Sequence, residues 1–91
     1  MKPHSESRVW TIEVLIEEDD VETEAKALLR VGEGELAGWG RARRNSRDPD
    51  RPRVGEELAT ARALAELAHK LLDAAAVEIE EFEGGRVHLH G

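Results

Sequence analysis

The chain contains no cysteine, which removes thiol catalysis, disulfide staples and thiolate metal ligands together. Aromatic residues make up only 3% of it, so a core must be assembled from leucine, valine, isoleucine and alanine. No apolar run approaches the ~18 residues of a membrane-spanning helix. The opening MKPHSESRVW also lacks the apolar stretch of a secretory leader. The expectation is a cytoplasmic protein with no membrane partner, no cofactor, no metal and no small-molecule substrate. Ninety-one residues suit one domain near the lower end of sizes that bury their own core. Residues 1–8 read as a disordered N-terminus ahead of a single α+β domain over 9–91. A core this small rarely supplies more than ~3–5 kcal/mol of net stability, which makes a second subunit a natural source of burial.

Positive charge is scarce as well, except in one place. The formal net charge is −7, and residues 1–37 and 56–91 are both strongly acidic. Residues 38–55, GWGRARRNSRDPDRPRVG, hold six arginines against two aspartates. A sequence pI near 5.1 opposes broad affinity for nucleic acid, because phosphate contacts dominate that affinity and an acidic surface repels the backbone. A focused basic patch is still allowed.

What is present is patterned. RVWTIEVLIE (8–17) alternates with the period of a half-buried strand, placing Trp10, Ile12, Val14 and Ile16 on one face and Thr11, Glu13, Leu15 and Glu17 on the other. TEAKALLRV suits a helix by propensity. Its alternation of Ala25, Ala27, Leu29 and Val31, followed by GEG at 32–34, favours a β-hairpin. The return strand ELAGWGRARR sets Leu36, Gly38, Gly40 and Ala42 on one face, and two glycines there imply that a helix packs close to that backbone. NSRDPDRPR (45–53) is a loop by composition.

From Val54 onward apolar residues recur at Leu58, Ala61, Ala65, Ala68, Leu72, Ala75, Ile79 and Phe82, in steps of four and three. This is an amphipathic helix, with Leu64, Leu67 and Leu71 widening the apolar stripe expected to pack on the sheet. Such a helix, ~43 Å long, outruns strands of ~27–30 Å. Either it breaks near residues 73–77 and folds back, or its last turns pack on a second copy. Gly84 and Gly85 should stop it, leaving RVHLHG as a short fourth strand or a frayed tail. The fold class is α+β: a three- to four-stranded antiparallel sheet in β-β-β-α order with a long C-terminal helix on one face.

The segments WTIEVLIEEDD, ELAGWGRARRN, RVGEELATARALAELAHKLLDAAAVEIE and VHLH, in this order, resemble an actinobacterial family of small proteins of unknown function. That family is described as having a fold like the double-stranded-RNA-binding domain and as akin to ribosome hibernation promoting factors. The resemblance covers most of the chain from Trp10 onward. It implies a dimeric, RNA-binding-like fold and a stress or dormancy role at the ribosome, and it carries over no catalytic residue. The chain departs from the family pattern after its arginines, where Asn45 is followed by Ser46 rather than proline.

Two constellations follow. Arg41, Arg43, Arg44, Arg47, Arg51 and Arg53, beside Trp39, are the candidate RNA contact, since guanidinium forks suit phosphates; the plainer alternative is a solvated loop that pairs with surrounding acids. Leu15, Leu28 and Trp39, on the sheet face turned away from the helix, are a candidate dimer interface together with Val77, Ile79 and Phe82. His88 and His90 share a face if their segment is extended, but no third ligand accompanies them. His69 reads as a boundary residue of the helix. GWGRAR lacks the third glycine of a dinucleotide fingerprint, and no nucleophile, base and orienter converge, so an enzyme is not expected. Two readings result: an RNA- or ribosome-associated dimer, and a non-catalytic homodimeric protein-interaction module with no nucleic-acid partner.

Overall fold

The structure, a computed structural model, describes residues 5–43 and 52–90, with the helix side chains described from Arg53 to Phe82. Three strands, β1 (Ile12–Glu18), β2 (Glu22–Val31) and β3 (Gly34–Arg43), precede one helix, α1 (Pro52–His90). The strands pair antiparallel in the order β1-β2-β3, with Val14 opposite Ala27 and Ala25 opposite Gly40.

Local chemistry sets each junction. After β1, the Asp19 carboxylate accepts hydrogen bonds from the Val21 and Glu22 amides at 2.7 and 2.8 Å, which turns the chain into β2. Val31 pairs with Gly34 across a two-residue loop. Gly32 holds φ at +60° and is the only positive-φ residue among those described, as a type II′ hairpin with glycine in its first central position requires. Pro52 opens the helix, where its fixed φ is favourable and its missing amide hydrogen is no loss.

The core is made mostly of small residues. Ala25, Ala27 and Leu29 from β2, Ala42 from β3, and Ala59, Ala63 and Leu67 from α1 are buried. Val14, Val31, Leu36 and Leu71 pack around them. Gly38 and Gly40 form the floor on which the helix backbone rests: a Cβ on Gly40 would lie 2.1 Å from the Ala59 carbonyl oxygen, and one on Gly38 would lie 2.3 Å from that of Ala63. The close helix approach read from those glycines is what the structure shows. Thr23 is fully buried with them, and its hydroxyl has no hydrogen-bond partner among the described residues.

Four expectations are corrected. The strand begins at Ile12, so Trp10 lies outside it; Trp10 lines a recess with Val9, Thr11, Glu13, Leu28 and Arg30 instead of sharing the inner face. The helix neither breaks near residues 73–77 nor stops at Gly84 and Gly85, but runs 39 residues to His90. No fourth strand forms from residues 86–90, and a helical backbone there removes the alternation that paired His88 with His90. Most consequentially, the stripe in steps of four and three does not face the sheet; of the three leucines that widen it, Leu67 and Leu71 do pack there and Leu64 stays exposed. The packed row is Gly55, Ala59, Ala63 and Leu67, spaced by four: the first three are small enough for this approach to a floor of glycine and alanine, and Leu67 is buried in the core.

Candidate functional site

Each face of the domain presents different chemistry. The free edge of β3 is closed by the helix. Arg62 Nη1 donates to the Arg41 carbonyl at 2.6 Å, the Trp39 amide donates to Glu66 Oε1 at 3.1 Å, and Lys70 Nζ donates to the Ala37 carbonyl. Residues 62, 66 and 70 are one helical row, and residues 41, 39 and 37 are alternate positions of the strand, so the two periods match one to one. Lys70 also stands 3.3 Å from Glu66. The Trp39 amide, and then Lys70, hold the Glu66 carboxyl below its ordinary value. Neither Glu66 nor Lys70 stands out in the sequence, where both fall among the polar positions of the helix. The signal that could have found this clamp is the charged row at i, i+4 and i+8 flanking the small-residue row that packs.

The outer sheet face is mixed. Leu15, Lys26 and Trp39 form one row across the three strands, with the Lys26 ammonium 5.0 Å from the centre of the Trp39 ring. Leu28 follows in the next row, beside the recess of Val9 and Trp10. Leu15 and Trp39 are half exposed, so the three apolar residues singled out from sequence are neighbours on one accessible face. Charges alternate around them: Arg41 pairs with Glu24 at 3.0 Å, and Arg30 with Glu35 at 3.6 Å.

The arginines do not converge in the same way. Arg41 and Arg43 stand on the outer face at the end of β3, opposite Glu24 and Glu22. Arg53 lies on the other side of the sheet, lining a groove with Ile16, Glu56, Glu57, Thr60, Ala61 and Leu64. That groove exists because α1 covers β2 and β3 and scarcely reaches β1, leaving Ile12 and Ile16 each 41% exposed. Arg44, Arg47 and Arg51 lie outside the described residues.

The outward face of α1 carries the apolar stripe. Val54, Leu58, Leu72, Ile79 and Phe82 are exposed by 47, 45, 67, 58 and 63%, with Ala61, Ala65, Ala68 and Ala75 exposed between them. Val77, grouped with Ile79 and Phe82 from sequence, is on the opposite side of the helix from Ile79, because two residues subtend about 200°. Among the described residues no group of three acidic or histidine side chains is placed to hold a metal ion, and no helix is long and apolar enough to cross a membrane.

These features define a small α+β protein of β-β-β-α order. The chain belongs to the Rv2632c-like family, which it matches over residues 8–88. It is 44% identical over 71 residues to the uncharacterized protein Mb1767 of Mycobacterium bovis, covering 78% of this chain and 76% of that one. It is equally identical, over 69 residues, to the uncharacterized protein Rv2632c of Mycobacterium tuberculosis, covering 76% and 74%. The crystal structure of Rv2632c superposes with a TM-score of 0.79 at 39% identity, over 88% of this chain and 94% of that one.

Proposed function

We propose that this chain is a non-catalytic protein-interaction module that works as a homodimer and docks a protein partner on its outer sheet face. The observation that carries this reading is the cluster of Leu15, Leu28 and Trp39, with Val9 and Trp10 at its margin, left accessible on a face whose nearest cations are already engaged. Lys26 is spent on the Trp39 ring and Arg41 on Glu24. Apolar groups ringed by alternating charges suit a protein surface of matching pattern, and a chain of net charge −7 does not suit a phosphate backbone.

The second reading is the one the resemblance implies, a stress or dormancy factor that contacts ribosomal RNA on a fold akin to the double-stranded-RNA-binding domain. It is favoured by one observation: Arg41 and Arg43 end β3 on the face that displays Trp39, next to the arginine-rich segment that follows. Salt and charge reversal separate the two. The RNA reading requires co-sedimentation with purified ribosomes that weakens steeply between ~50 and 200 mM salt and is lost in Arg41→Glu/Arg43→Glu. The protein reading requires a partner captured from nuclease-treated lysate at 200 mM salt, lost in Leu28→Asp/Trp39→Asp and kept in the arginine variant. Retention of the same partner by Leu28→Asp/Trp39→Asp would remove the sheet face from the account.

A further inference from the structure

The two rims of the sheet are protected unequally. At β3 the row of Arg62, Glu66 and Lys70 closes the edge. Edge strands are ordinarily blunted by lysine, proline, a bulge or an inward charge. The ladder of β1 with β2 runs without a bulge, the strand holds no lysine or proline, and its inward side chains before the turn, Ile12, Val14 and Ile16, are apolar. Which peptide groups it offers follows from the other rim. Because Ala37, Trp39 and Arg41 direct theirs to the helix, Gly38 and Gly40 bond to Ala27 and Ala25, and Leu15 and Glu13 bond to Lys26 and Leu28. Ile12, Val14 and Ile16 keep their amides and carbonyls turned away from the sheet.

We propose that β1 pairs antiparallel with the β1 of a second copy, about a two-fold axis at Val14, and joins two three-stranded sheets into one. This rests on the homodimer of the preceding reading and gives it its interface. The three residues match themselves. With Val14 against Val14 of the partner subunit, Ile12 meets Ile16 of the partner subunit on either side of the axis, and each facing pair exchanges two backbone bonds. The isoleucines, each 41% exposed in one chain, come together over β1, where α1 scarcely reaches.

Charge selects the same register. Glu13 faces Leu15 of the partner subunit, Glu17 faces Thr11 of the partner subunit, and Glu18 is level with Trp10 of the partner subunit, so glutamates approach one another only diagonally, on the solvent face. The smallest slide that keeps the bonding groups facing is two residues. One way it sets Glu13 on Glu13 of the partner subunit, and the other way it sets Glu13 on Glu17 of the partner subunit at two places; like charges directly opposite are destabilising. The outer faces also become continuous. The row of Trp39, Lys26 and Leu15 runs on into the partner's Glu13, the partner's Leu28 and the partner's Ala37, so both copies build the docking face.

A charge swap tests the register. Light scattering at micromolar concentration should give twice the chain mass for the unmodified chain. Ile12→Lys/Ile16→Lys sets like charges against each other across the axis and should give a monomer, whereas Ile12→Lys/Ile16→Glu sets opposite charges there and should restore the dimer. Trp39→Asp should remain dimeric while losing the docked protein. In a chain without cysteine, a nitroxide on Glu13→Cys, an exposed position, has its mate at a diagonal site roughly 7–8 Å away by backbone and should report a separation below about 20 Å. A monomeric unmodified chain would overturn both the strand pairing and the homodimer. A dimer with nitroxides farther apart than that, or one indifferent to the sign of the charge at position 16, would overturn the pairing alone.

Discussion

Gly40→Ala tests the structure where it is least forgiving. The added methyl would sit 2.1 Å from the Ala59 carbonyl oxygen and 2.4 Å from the Ala63 amide nitrogen, against ordinary contact at 3.4 Å or more. The helix must therefore lift by more than ~1 Å, and a gap of that size forfeits a quarter to a half of each dispersion contact across it. Overpacking a core typically costs ~1–3 kcal/mol. Here the obstructing atoms are helix backbone and cannot rotate away, so we expect about 3 kcal/mol, most of the ~3–5 kcal/mol that a core of this size supplies. Urea denaturation followed by circular dichroism, at fixed chain concentration, should show the midpoint falling by roughly 2–3 M for a slope near ~1 kcal/mol per M. Gly34→Ala is the control: the nearest atom to its new methyl is the Val31 carbonyl oxygen at 3.5 Å, and the midpoint should hold or rise slightly. A Gly40→Ala midpoint within experimental scatter of the unmodified chain would refute the close seating of α1 on β3.

Three further outcomes follow from the same contacts. Glu66 is held as a carboxylate by the Trp39 amide and Lys70, so its folded pKa is depressed; its contribution is complete above the ordinary glutamate value and is lost as pH falls below it, and Glu66→Gln should flatten the acid limb of the stability profile in a pH series of urea titrations. Thr23→Val removes a buried hydroxyl that has no partner among the described residues, and its melting temperature should be unchanged or higher, by an amount equivalent to about 1 kcal/mol or less. Leu67→Ala empties the largest helix contribution to the core and should cost ~2–5 kcal/mol by chemical denaturation.

Much of the architecture was legible because its determinants are local. Gly32 announces the hairpin turn, and the alternation of Ala25, Ala27 and Leu29 names the inner face of β2. Gly38 and Gly40 announce that a helix rests on β3. The face of α1 that does the resting was not legible by hydrophobicity, since Ala59 and Ala63 are weaker apolar signals than Leu58 and Leu72. Close approach selects for small volume, so the more hydrophobic row reads as the packed one when it is the one left outside. Trp10 was assigned to β1 because alternation continues through it, although pairing with β2 starts only at Ile12 opposite Leu29. Gly84 and Gly85 each disfavour a helix by about 1 kcal/mol without forbidding it, and α1 passes through them. Of the candidate surfaces, the neighbourhood of Leu15, Leu28 and Trp39 followed from strand parity. The row of Arg62, Glu66 and Lys70 did not, because its meaning depends on which strand edge lies beneath the helix.

That row makes the two ends of the sheet unequal. With the amide of Trp39 and the carbonyls of Ala37 and Arg41 aimed at helix side chains, the even positions of β3 face β2, and the registers carry this parity across the sheet. Glu13, Leu15 and Glu17 thus bond inward to β2, while Ile12, Val14 and Ile16 turn their peptide groups outward. Among the described residues no strand lies beyond them. The sheet can therefore grow in one direction only: an incoming strand finds a shut rim at β3 and three receptive residues at β1, spaced two apart. Any crowded or misfolded assembly of this protein that proceeds by strand addition has a single docking polarity, and it would end as a closed pair of sheets and not as an open fibre.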